Sequence, residues 1–163
     1  MSDALEAIVE ENAQARAELL EAIDALSAEH RLAGWFGPAA WSVQDVIAHI
    51  ARWQQGWSTA LSQIAQGERP SVPDYTPNAN DPDAADAAYN AASVAQARDL
   101  GWEQLLAALG GGRDLHDAAV RGLDVLDADR YAEGRSAYRL AAVAGHDREH
   151  LAAILAWRRE QGI

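Results

Sequence analysis

No cysteine occurs in the 163 residues. That absence excludes disulfides, thiolate nucleophiles and cysteine metal ligands, so a transition-metal site would have to rely on histidine and carboxylate. Basic residues are scarce: 13 Lys and Arg face 25 Asp and Glu, a formal charge of −12. Without clustered cations the chain is not expected to bind phosphate backbones or to dock on anionic membrane. No apolar run is long enough to span a bilayer. The opening Met1-Ser2-Asp3-Ala4-Leu5-Glu6 is acidic and has no apolar core of a secretory signal, so a soluble cytoplasmic protein is expected. Sustained alternation of apolar and polar residues is also missing, which argues against any sheet. The length suits one domain over residues 1–163, with no internal repeat.

What remains is helical patterning. A first helix is expected from about Ser2 to His30, with Leu5, Val9, Leu19, Ile23 and Leu26 on one stripe. Asn12, Arg16 and His30 interrupt that stripe. The simpler of two readings rotates the helix there and turns Ala13 and Ala17 inward; the other has it border a polar cavity. Gly34, Gly37 and Pro38 turn the chain before a second helix, which Ser42 caps, Asp45 supports at the third position and Trp41 staples. Its wide apolar face runs from Val43 to Ile64. Pro70, Pro73, Pro77 and Pro82 then mark a long, stiff connection of the length that often covers a site. A third helix is expected from Asp83 to Arg98 and a fourth from Gly101 to Leu126. Gly110, Gly111 and Gly112 weaken the fourth, and whether they break it stays open. After a turn over Asp127 to Arg135, a last helix spans Ser136 to Glu160.

His146 and His150 lie four apart in that last helix, which puts both imidazoles on one face about 6 Å apart in rise. Two nitrogens so placed can share one ion, and a third from a neighbouring helix would leave a coordination position open. The run His146-Asp147-Arg148-Glu149-His150 formally matches the H-x-x-E-H pattern of inverted zinc peptidases, with Glu149 as general base. That reading needs a third ligand well downstream, and none follows before Ile163. In isolation the pair reads best as two histidines on one helix face.

His49 changes that reading. The segment Trp41-Ser42-Val43-Gln44-Asp45-Val46-Ile47-Ala48-His49-Ile50-Ala51-Arg52-Trp53 resembles the second-helix signature of the DinB-like superfamily: a Trp, a cap Ser or Thr, two helical turns, then a metal-binding His. His146-x-x-x-His150 is similar to the other half of that family's three-histidine site. The Pro-rich crossover and Asn90-Ala91 look most like the ClbS/DfsB-type branch. The resemblance implies an antiparallel four-helix bundle, with the second and last helices adjacent, holding a divalent metal, often zinc or nickel, on His49, His146 and His150. It also implies a small-molecule enzyme. Members of the family include thiol-dependent S-transferases using bacillithiol, mycothiol or glutathione, a mycothiol-dependent isomerase, and a hydrolase that opens a cyclopropane.

With no cysteine in the chain, a low-molecular-weight thiol would have to arrive as cosubstrate. Asp45 and Asp147 are candidates to orient an imidazole, and Trp53 to line the site. The alternatives are a non-catalytic ligand-binding bundle, or a structural one with a vestigial site. His30 reads as a helix-end residue and His116 as exposed. Trp35 and Phe36, in an interhelical loop, suggest a homodimer. Because imidazoles bind metal only when neutral, affinity is expected to fall below about pH 6.

Overall fold

Helices make up every extended element among the described residues, 3–123 and 136–163 of the computed structural model, in agreement with the all-α expectation. In chain order they are α1 (Asp3–Asp24), α2 (Ala28–Leu32), α3 (Val43–Ala65), α4 (Pro82–Ala97), α5 (Trp102–Arg121), α6 (Ser136–Ala141) and α7 (Ala144–Gln161). The pairing between Phe36 and Trp41 is an isolated bridge that closes a loop, not a strand. No described helix is long and apolar enough to cross a membrane.

Local chemistry sets the boundaries. Ser42 opens α3 with a capping box: its hydroxyl accepts from Asp45 N–H (3.2 Å), and Asp45 Oδ2 accepts from Ser42 N–H (2.9 Å). Such a cap contributes about 1 kcal/mol. Asp81 caps α4 through Ala84 N–H, and Pro82 occupies the first turn, where no partner for its nitrogen is needed. The expected first helix instead ends at Asp24. Ser27 caps a separate short helix by accepting from His30 N–H (3.2 Å), so His30 belongs to α2. The three successive glycines do not interrupt α5. Residues 124–126 of the expected fourth helix and the turn at 127–135 lie outside the described residues.

The expected last helix is two. It breaks at Ala142 and Val143, and no side chain of its own caps α7. Asn12 of α1 fills that role: its Oδ1 accepts from Val143 and Ala144 N–H (3.0 and 2.9 Å), and its Nδ2 donates to Ala141 O (2.8 Å). One side chain thereby satisfies three backbone groups that would otherwise be buried without partners.

α3 packs most extensively on α5, and α1 on α7, with α4 covering α3. The core falls into two apolar clusters. One gathers Leu19, Ile23, Ile47, Ile50, Leu109 and Ile154; the other gathers Leu5, Val9, Leu61, Val120 and Ala141. In register between them lies a belt of buried polar groups: Asn12, Arg16, Gln54, Arg113, His116 and Asp147. Asn12 and Arg16 therefore face inward and Ala13 and Ala17 face solvent, the reverse of the simpler expectation. His116, expected at the surface, is fully buried with Nε2 2.8 Å from Leu140 O.

The crossover after α3 is held close rather than draped. A Cβ on Gly56 would lie 2.5 Å from Val72 Cγ1, so the loop seats against α3 only because that position lacks a side chain. Arg52 pairs with Asp74, and Tyr75 packs its ring on Trp53 (5.6 Å).

Candidate metal centre

The capping box fixes where α3 begins, and two turns later His49 points inward at the level of the first turns of α7. There it meets His146 and His150, so α3 and α7 are neighbours as the three-histidine spacing requires. The Nε2 atoms of His49 and His146 are 3.0 Å apart, and those of His150 and His146 3.2 Å. All three candidate ligand atoms lie within 4.8 Å of one another, an arrangement that could hold a metal ion.

An ion about 2.1 Å from each of two imidazole nitrogens, at angles between octahedral and tetrahedral, separates them by roughly 3.0–3.4 Å. The two short separations fall in that window. Facing lone pairs at such distances repel unless a proton or a cation lies between them. The donor set, three neutral imidazoles without thiolate or carboxylate, suits a borderline divalent metal and leaves it positions for exogenous ligands.

Packing orients the rings. Trp41 lies against His49 (5.4 Å between centroids), Trp57 against His146 (5.1 Å) and Phe36 against His150 (5.7 Å). Phe36 and Trp41 reach the site from the loop between α2 and α3. That loop folds so tightly that a Cβ on Gly34 would lie 2.5 Å from Ala40 O. Trp35, beside Phe36, stacks on Trp157 (5.2 Å, 14° between planes). Both rings that suggested a homodimer are thus engaged within the chain.

The Nδ1 atoms of all three histidines are buried without a hydrogen-bond partner. The two carboxylates expected as candidates to orient them are committed elsewhere. Asp45 holds the cap of α3, accepting also from the Ser42 hydroxyl (2.8 Å). Asp147 is buried and accepts from Arg16 Nε and Nη2 (3.0 Å each) and from Arg113 Nη2 (2.6 Å). It is neither solvated nor bonded to an imidazole. Its function is to lock the first turn of α7, and with it the two histidines on either side, onto α1 and α5. Trp53 does line the site, and its indole N–H donates to Asn90 Oδ1 (2.6 Å).

Burial governs the electrostatics. It lowers the His49 pKa to about 3, helped by the charge repulsion His146 and His150 would exert, with the Asn90 side chain acting in the opposite sense. His146 is likewise lowered to about 3, by burial first, then by His150 and Arg16. Burial also lowers His150, against the nearby Glu149 and Asp147. His49 and His146 therefore stay neutral and ready to coordinate well below pH 6, and His150 is shifted in the same direction, so proton competition for a metal sets in at lower pH than free histidine suggests.

The cluster opens on a cavity of about 790 Å³, walled by Phe36, Trp41, Trp53 and Trp57, with Asn90, Asp86 and Glu149 as polar groups. Sequence reasoning missed the aromatic wall as a unit and the Arg16–Asp147–Arg113 cluster behind it. His116 did leave a signal, since it continues the inward stripe of Leu105, Leu109, Gly112 and Val120.

The DinB family model matches residues 1–107. The matched span includes Trp41 through Trp53 with His49, whereas His146 and His150 lie beyond it and are brought to His49 by the fold. No curated protein and no solved structure matches the chain.

Proposed function

The chain belongs to the DinB family, and on that premise we propose that it is a metal-dependent small-molecule enzyme, of the thiol-dependent S-transferase or hydrolase type. His49, His146 and His150 hold the ion, with zinc or nickel as the metal these neutral nitrogen donors suit. The observation that carries the proposal is the convergence of three imidazole nitrogens within 4.8 Å at the wall of a cavity of about 790 Å³. A purely structural cluster would be shielded and hydrogen-bonded to the surrounding protein. These histidines instead line the cavity, and their Nε2 atoms converge on one another rather than on hydrogen-bond partners elsewhere in the protein.

A divalent ion there would act as a Lewis acid and lower the pKa of a water or thiol that it binds. The rest falls to the chain's own residues. Trp41, Trp57 and Phe36 fix the ring planes, and the Arg16–Asp147–Arg113 cluster holds α7 in register. Trp53 and Asn90 form the wall against which the substrate's apolar body lies. Because the chain has no cysteine, the sulfur in an S-transfer comes from a cosubstrate.

The test is turnover by protein loaded with zinc or nickel, screened with electrophilic substrates in the presence and absence of low-molecular-weight thiols. Metal-dependent turnover that is lost in His49→Ala supports the reading. Absence of any metal-dependent turnover across thiol and hydrolytic substrates opposes it and favours a non-catalytic ligand-binding bundle.

A further inference from the structure

The indole N–H of Trp53 can only donate, and Asn90 on α4 accepts it through Oδ1 at 2.6 Å. That bond fixes which way the amide points. Its acceptor half faces Trp53, so its donor half, Nδ2, is turned away from the indole. Among the described residues Nδ2 has no hydrogen-bond partner of its own. Asp86, one turn earlier on the same face of α4, accepts from the Tyr75 hydroxyl instead (2.8 Å). Trp53 is itself held by three rings, Trp57 (5.4 Å), Tyr75 (5.6 Å) and Tyr89 (4.6 Å), so the amide is anchored to a fixed point. Asn90 lines the same cavity as His49, His146 and His150, and Trp53 lies one turn after His49 on α3. The amide also bears on His49, where it opposes the effect of burial. Around it the wall is largely aromatic, with Phe36, Trp41, Trp53 and Trp57.

Satisfying an indole N–H needs only an acceptor, which a carboxylate or a carbonyl supplies equally well. An amide brings a donor besides, and here that donor is oriented before any ligand enters. We infer that Asn90 Nδ2 donates a hydrogen bond to the exogenous ligand held beside the three histidines, and so selects ligands that carry an anionic oxygen or sulfur acceptor at or next to the coordinated atom. Carboxylates, hydroxamates and thiolates belong to that class, and their apolar bodies lie on Trp53 and Trp57. The inference rests on the proposed metal site and narrows the ligands it takes. Hydrogen bonds to charged acceptors are the strong ones, and a donor fixed in an aromatic wall has little water to compete with. A ligand whose bound end offers no acceptor gains nothing from the amide.

The experiment uses full-length protein loaded with cobalt(II), whose visible absorption reports ligand exchange at the ion, with metal content measured before each titration. Two probes are compared. Acetohydroxamate presents oxygen acceptors beside the ion, whereas imidazole, bound through one nitrogen, keeps only an N–H donor. In Asn90→Ala, acetohydroxamate should bind about tenfold or more weakly than in the parent, and imidazole within about twofold. Asn90→Asp is isosteric and still accepts from Trp53. It should keep the Trp53 indole N–H resonance near its parent position and yet fail to restore acetohydroxamate binding. Acetohydroxamate affinity within about threefold of the parent in Asn90→Ala overturns the inference. So does an equal loss for both probes, which would make Asn90 a support for Trp53 alone, or a return to parent affinity in Asn90→Asp. A parent that holds no cobalt overturns the metal site and this inference with it. Cobalt held normally with no selective effect of Asn90 overturns the inference alone.

Discussion

Asp147 sits between two guanidiniums in the middle of the fold, and the three groups are not equivalent. Arg16 is fully engaged: Nε and Nη2 hold Asp147 bidentately, Nη1 donates to Leu109 O (3.1 Å) and Nη2 to Gln54 Oε1 (2.7 Å). Arg113 makes one bond, to Asp147 Oδ2, and its Nε and Nη1 are buried without partners. Its pKa is lowered by burial first and then by Arg16. Against Asp147 alone the two guanidiniums leave one positive charge in excess, which the charge of Asp117 offsets in part at Arg113. Replacing Asp147 by Asn keeps the shape but leaves two buried cations facing each other, which should cost about 3–5 kcal/mol. Arg16→Met should cost about 2–4 kcal/mol, because Gln54 and Leu109 also lose their donor. Arg113→Met removes the excess charge and one bond, so stability should stay within about 1 kcal/mol of the parent. Urea unfolding at neutral pH reads all three. With a slope of about 2 kcal/mol per molar, Asp147→Asn should lower the midpoint by roughly 1.5–2.5 M while Arg113→Met barely moves it. Adding Arg113→Met to Asp147→Asn should recover part of the loss, since the double variant retains one buried cation rather than two. An Arg113→Met protein as unstable as Asp147→Asn, or an Asp147→Asn protein within about 1 kcal/mol of the parent, would refute the charge accounting.

Asn12→Ala should destabilise by about 3–5 kcal/mol, because three buried backbone groups at the α6–α7 break lose their partner; hydrogen exchange should accelerate at Val143 and Ala144, and unchanged exchange would count against the spliced break. Gly56→Ala should displace the crossover, since the new methyl meets Val72, and cost about 1–3 kcal/mol in thermal or urea unfolding. In metal-free protein, His49 and His146 sit near 3 when folded against about 6.5 when unfolded, so the unfolded chain binds more protons between those values. Their stabilisation is complete above about pH 6.5 and is lost as pH falls toward 3, by up to about 1.4 kcal/mol per pH unit for each histidine. The urea midpoint should therefore decline more steeply with falling pH in the parent than in His146→Ala, and equal slopes would contradict the buried-imidazole assignment.

The local signals in the sequence were the readable ones. Ser42 and Asp45 announce the start of α3, and counting two turns from there finds His49 on the inward face. The four-residue spacing of His146 and His150 finds the matching pair. What local pattern does not carry is pairing across the fold. Arg16 interrupts an apolar stripe and reads as outward unless its partner, 131 residues away, is known. Asp147, next to His146, reads as a candidate to orient an imidazole for the same reason. The break before α7 contains neither Gly nor Pro, since it is stabilised by Asn12 from a distant helix rather than by its own residues. His116 continues the inward stripe of Leu105, Leu109 and Val120, but its pairing with Leu140 O, 24 residues on, is not visible in the local pattern.

The proposed metal site joins His49, His146 and His150 across two helices. Its most direct test is the metal stoichiometry of untagged protein by native and elemental mass spectrometry after loading and desalting, for the parent and for His49→Ala, with His30→Ala and His116→Ala as references for fold and background. The parent should hold about one tightly bound ion per chain. His49→Ala should lose it almost completely despite retained helicity, and His30→Ala should keep it in full. A His49→Ala protein that keeps its ion would show that the cross-helix site does not exist.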